Sequence, residues 1–103
     1  MEEQELGGNI ALVGFNLDKG EMIVIKKMIG KYAEKIRHFT EYEQLKLEMR
    51  IHQKQEKKEL ELKVLLNFDG KRANAEDRGE NPFVLIDSAM KRILAEIEHK
   101  IKK

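Results

Sequence analysis

Lys27, Lys31 and Lys35 recur at four-residue steps, which stacks three ammonium groups along one ridge if the segment is helical. Such a row suits the phosphates of a polyanion, and it equally suits plain solvation of a helix face. Within residues 21 to 39 five bases, Lys26, Lys27, Lys31, Lys35 and Arg37, meet two acids, Glu21 and Glu34, although the whole chain carries a net charge of only +1. That small total argues against generic polyanion binding, whereas the uneven distribution puts positive charge on one element. Other chemistries lack their residues. With no cysteine there is no disulfide, thiolate metal site or thiol nucleophile. His38, His52 and His99 lie on separate segments without the paired spacing of metal ligands. Gly14, Gly20, Gly30, Gly70 and Gly79 form no phosphate-binding loop, and no nucleophile and base are paired. No catalytic residue, metal or cofactor is expected, and the reading is non-enzymatic.

The segments that carry these side chains read as an α+β fold. Asn9 to Phe15 is a short buried strand preceded by residues 1 to 8, an acidic leader with Glu2, Glu3 and Glu5 that is expected to be flexible. Asp18 followed by Glu21 is a capping-box spacing, and Met22, Ile25, Ile29, Tyr32, Ala33 and Ile36 place one apolar stripe on the helix that follows. From Glu43 the period changes to two: Leu45, Leu47, Met49 and Ile51 alternate with polar residues, as do Leu60, Leu62, Val64, Leu66 and Phe68, with a loop expected at Gln53 to Lys57. Asp69-Gly70 predicts a two-residue hairpin turn into a further strand, Lys71 to Asp77, whose Ala73 and Ala75 leave room for a helix. Asn81 then caps and Pro82 opens that helix, with Phe83, Ile86, Met90, Ile93, Leu94, Ile97 and Ile101 as its apolar stripe. The order is β-α-β-β-β-α, a mixed four-stranded sheet with both helices packed on one face, and residues 9 to 103 form one domain.

At 103 residues one core is expected, burying roughly two thirds of the unfolded surface. Charged residues at 38% give a salt-bridge-laced exterior. No apolar run reaches the ~20 residues needed to span a bilayer, and the acidic start differs from the basic start of a secretory signal, so the cytoplasm is the expected compartment.

Several of these pieces resemble the ribosome hibernation-promoting factor family, also called ribosome-associated inhibitors or ribosomal subunit interface proteins. Ala73-Asn74-Ala75-Glu76, followed after a turn by Pro82-Phe83-Val84-Leu85-Ile86-Asp87, looks like the family's Ala-x-Ala strand and the aromatic-x-x-Ile-Asp opening of its last helix. Asn9-Ile10, the Lys35-Ile36 step and the lysine-ended tail are also similar, so the match covers nearly all of the chain from Asn9. The resemblance implies binding to the small ribosomal subunit, where family members occlude the channel of messenger and transfer RNA and silence idle ribosomes. It also implies basic faces on both helices touching ribosomal RNA, with Lys35, Arg92, Lys100 and Lys103 on or next to positions that are basic in the family. Together with the lysine ridge, the expected RNA contacts are Lys27, Lys31, Lys35, Arg92, Lys100 and Lys103. Ala95, Glu96 and Glu98 depart from the family by diluting the last helix. The likeness is to the short form, so pairing of ribosomes through the long form's C-terminal dimerisation domain is not expected.

A second reading, from another class, is a protein-interaction module or homodimer. It would use the wet face of the sheet, where Lys46, Glu48, Arg50, Glu59, Glu61, Lys63, Arg72 and Glu76 mix both signs, or an exposed edge strand.

Overall fold

The first helix starts as its sequence predicts. The Asp18 carboxylate accepts from the Glu21 N–H at 2.8 Å, and the Glu21 carboxylate accepts from the Asp18 N–H at 3.4 Å, closing a reciprocal capping box. The computed structural model describes residues 3–101. Its elements are β1 (Glu3–Glu5), β2 (Ile10–Val13), α1 (Lys19–Phe39), β3 (Gln44–Lys54), β4 (Lys57–Phe68), β5 (Lys71–Gly79) and α2 (Pro82–Ile101). They build a single sheet in the order β1-β2-β3-β4-β5, with β2 and β3 parallel and every other neighbour antiparallel.

The core lies between this sheet and the two helices. Ile10 pairs with Leu45, Leu45 with Leu66, and Leu66 with Ala73, so one row of side chains crosses four strands on the face the helices cover. The next row runs from Leu12 through Leu47 and Val64 to Ala75. All eight residues are buried. The six apolar positions of α1 complete this layer as expected, and all six are buried. On α2 the stripe is rotated from the expected one: Ile86, Met90, Ile93 and Ile97 are buried, but so are Leu85 and Ala89, while Phe83 and Leu94 lie at the margin and Ile101 is exposed. Ala89 on α2 and Ala73 and Ala75 on β5 are all buried, and such small side chains let helix and strand approach closely.

Two differences from the sequence reading have one cause. The sheet has five strands, not four, because Glu3–Glu5, expected to lie in the leader, pairs with Ala11–Val13. The loop expected at Gln53 to Lys57 is shorter, because β3 and β4 stay paired out to Lys54 and Lys57. In both places backbone groups form the ladder while the side chains are mostly exposed, as they are from His52 to Glu59. Hydrophobic alternation, the usual sign of a strand, is absent there. The Asp69-Gly70 turn conforms to expectation, with φ of 49° and 69°, the two positive values a type I′ hairpin turn requires. Asn81 caps α2 through its side-chain oxygen, which accepts from Phe83 N–H at 2.9 Å and Val84 N–H at 3.3 Å.

Candidate nucleic-acid interface

Residues four apart on a helix are offset by about 40°, so the lysine ridge winds as it climbs α1. Lys27 and Lys31 border a shallow groove of about 480 Å³ against the segment Leu6–Gly8, with Arg37 at its end. One step on, Lys35 has turned toward α2, its ammonium 5.1 Å from the centre of the Tyr32 ring. All three lysines are exposed, and among the described residues none has a carboxylate within 4.0 Å. Their charge is therefore available to a ligand.

The seam between the helices is fastened by Asp87. Its carboxylate accepts from the Tyr32 hydroxyl and pairs with Lys91 at 2.9 Å. Those two hydrogen bonds, the Tyr32 one foremost, hold the Asp87 carboxyl below its usual range, and burial with the Asp87 contact pushes the Tyr32 hydroxyl up to about 12. Asp87 thus has one partner on its own helix, Lys91, and one on the other, Tyr32.

Arg92 and Lys100 stand elsewhere. Counting about 100° per residue from Asp87, they lie roughly 140° and 220° around α2, on the side away from α1. Arg92 donates to the Glu76 carbonyl at 2.8 Å and pairs with Asp77 at 3.2 Å. Lys100 donates to the Arg72 carbonyl and pairs with Glu96 at 3.1 Å. Lys103 lies outside the described residues. The expected contacts thus fall into two groups on opposite flanks: Lys27, Lys31 and Lys35 on α1 with free charge, and Arg92 and Lys100 engaged with β5.

The wet face of the sheet is largely neutralised from within. Arg78 pairs with Glu61 at 2.7 Å and Glu59 at 3.9 Å, Lys63 with Glu76 at 4.0 Å, and Arg50 with Glu48 at 3.8 Å. The hydrogen bond from Arg78 holds the Glu61 carboxyl below its ordinary value. No stacking aromatics accompany these charges, so this face is poorly suited to single-stranded bases. Among the described residues no group of three His, Asp or Glu could hold a metal ion, and no helix is long and apolar enough to cross a membrane.

Arg37, which the sequence counted only toward the local positive excess, also borders the groove beside Lys27 and Lys31. Its neighbour Tyr42 is an isolated aromatic after the helix, with no periodicity to mark it.

Two helices on one face of a mixed sheet, joined as β-α-β-β-β-α with an added edge strand, define the class as a small α+β domain. Solved structures share it. One is the N-terminal domain of Protein Y from Thermus thermophilus, with a TM-score of 0.59 and 14% identity over 86% of this chain and 93% of that one. Another is a ribosomal subunit interface protein from Coxiella burnetii, with a TM-score of 0.66 and 11% identity over 91% of this chain and 98% of that one. This is the fold that the family resemblance in the sequence implies. No protein-family model matches the sequence, and neither does any curated protein.

Proposed function

We propose that this chain is a non-catalytic, cytoplasmic ribosome-binding factor that contacts small-subunit ribosomal RNA and represses translation in idle cells. The observation that carries this reading is the free charge of Lys27, Lys31 and Lys35 on a fold shared with a ribosomal subunit interface protein. The α1 lysines are the primary phosphate contacts. Arg92, Lys100 and Lys103 are secondary ones, since Arg92 and Lys100 must first release β5. Counterion release supplies most of the binding free energy of such contacts, so affinity falls steeply with added salt.

Pelleting with purified small subunits at two salt concentrations tests this. Wild-type protein should co-sediment at low salt and largely dissociate at high salt, and Lys27→Glu/Lys31→Glu should bind more weakly at low salt with a shallower salt dependence. Retention of full binding by that double variant would remove the helix-face mechanism. The homodimer reading predicts a salt-insensitive dimer in sedimentation velocity that ignores ribosomes. The internal pairing of the sheet-face charges favours the ribosomal reading over it.

A further inference from the structure

Arg37, near the end of α1, is the cation held most firmly in place around the groove. Its Nη2 donates to the Tyr42 hydroxyl at 3.0 Å, and its guanidinium carbon lies 5.4 Å from the centre of the Tyr42 ring. The Tyr42 hydroxyl in turn donates to the Gly8 carbonyl at 2.5 Å, and Tyr42 itself is only 8% exposed. Gly8 has a φ of 58°, and a Cβ there would collide with Arg37 Nη2, so glycine is what lets the guanidinium lie against this loop. A buried phenol thus fixes an exposed arginine.

That arginine has not been neutralised. Arg50, Arg78 and Arg92 each sit within 4.0 Å of a carboxylate, whereas Arg37 has no such partner among the described residues. Glu34 lines the same groove and Glu41 an adjoining hollow that Arg37 also borders, but neither carboxylate comes within 4.0 Å of the guanidinium. A planar guanidinium with free N–H donors matches two oxygens of one phosphate, and a side chain ordered before binding loses less entropy when it binds. Lys27 and Lys31 border the same groove and supply further positive charge.

We infer that Arg37 is a phosphate contact for an RNA phosphodiester at the Gly8 end of this groove, and that Tyr42 is the residue that positions it. The inference rests on the ribosomal RNA reading above, and its test separates the two. Binding of small subunits is measured across a salt series for wild type, Lys27→Glu/Lys31→Glu, Arg37→Gln, Arg37→Lys and Tyr42→Phe, with Tm recorded for each. Arg37→Gln should weaken binding about tenfold at low salt and reduce the log–log salt slope by about one, the signature of one lost phosphate contact. Arg37→Lys and Tyr42→Phe should keep the wild-type slope and still weaken binding several-fold, because the charge survives while its orientation does not. An unchanged slope for Arg37→Gln, beside a reduced one for the lysine double variant, would make Arg37 a loop clamp and leave the RNA reading standing. Wild-type protein that fails to bind subunits would overturn both.

Discussion

The carboxylate of Glu96 on α2 accepts a hydrogen bond at 3.3 Å from the backbone N–H of Asn74 on β5. It is the middle rung of a ladder, with Arg92 on the Glu76 carbonyl and Lys100 on the Arg72 carbonyl at either side. Four residues advance a helix by about 6 Å and two residues advance a strand by about 6.7 Å, so the positions 92, 96 and 100 stay in step with 76, 74 and 72. Asp77 adds a fourth bond, accepting from Arg78 N–H at 2.9 Å. β5 ends the sheet, and these side chains occupy outward-facing groups that another strand would otherwise pair with.

Opening that ladder should make the edge reactive toward a second copy. Glu96→Ala is expected to raise the hydrogen-exchange rate of the Asn74 amide by about tenfold while amides paired with β4, such as that of Ala73, stay protected. Arg92→Ala/Glu96→Ala/Lys100→Ala should then self-associate at concentrations where wild type does not, measured by sedimentation velocity. Unaltered exchange at Asn74 would show that the side chains do not shield the edge.

The Tyr32 to Asp87 bond joins the helices, and its pH dependence has a sign at each end. The Asp87 carboxyl titrates below its ordinary value when folded, so its contribution is complete above about pH 4 and fades as pH falls through the lowered value. The Tyr32 hydroxyl is raised from 10.0 to about 12, so its contribution is complete below pH 10 and is lost as pH rises toward 12. Tyr32→Phe should lower Tm by roughly 5 °C at neutral pH, in line with one lost hydrogen bond. It should also flatten the decline in stability between pH 10 and 12, as read from urea midpoints. Equal alkaline slopes in the two proteins would rule out the coupling.

What the sequence made legible depended on whether a physical cause left a residue pattern. Asp18 with Glu21, Asn81 with Pro82, and Asp69 with Gly70 are local chemistry, and each element begins or turns where those residues place it. The alternation through β3 and β4 is side-chain burial, and it located the core face. β1 and the outer end of the β3–β4 hairpin are backbone pairing between exposed side chains, which leaves no apolar trace. The candidate site divides in the same way. Lys27, Lys31 and Lys35 are exposed on α1 as their spacing implies, whereas a charged stripe at positions 92, 96 and 100 looks the same whether it faces solvent or a strand edge. Tyr42 and Gly8 meet Arg37 only through the tertiary fold, so no local pattern could announce them.

Two glycines in open space should respond oppositely to alanine, because only one depends on glycine's backbone. Gly30 lies inside α1, and a Cβ there would meet nothing within 4 Å. Gly30→Ala therefore adds helix propensity and restricts the unfolded chain without a clash, and should stabilise the protein by about 0.8 kcal/mol. Gly70 also has nothing within 4 Å, but its φ is 69°. An L side chain there clashes with its own backbone, so Gly70→Ala should destabilise by about 1 kcal/mol although no neighbour is touched. Urea unfolding with unchanged m-values reads both shifts directly. If both substitutions moved the midpoint in the same direction, backbone conformation could not be what separates them, and the type I′ turn between β4 and β5 would be the feature to doubt. Gly30 also borders the groove beside Lys27 and Lys31, and an added methyl leaves their charge untouched. On the proposed ribosomal reading, the same variant should therefore bind small subunits with the wild-type salt slope, which separates a gain in helix stability from a change in the proposed phosphate contacts.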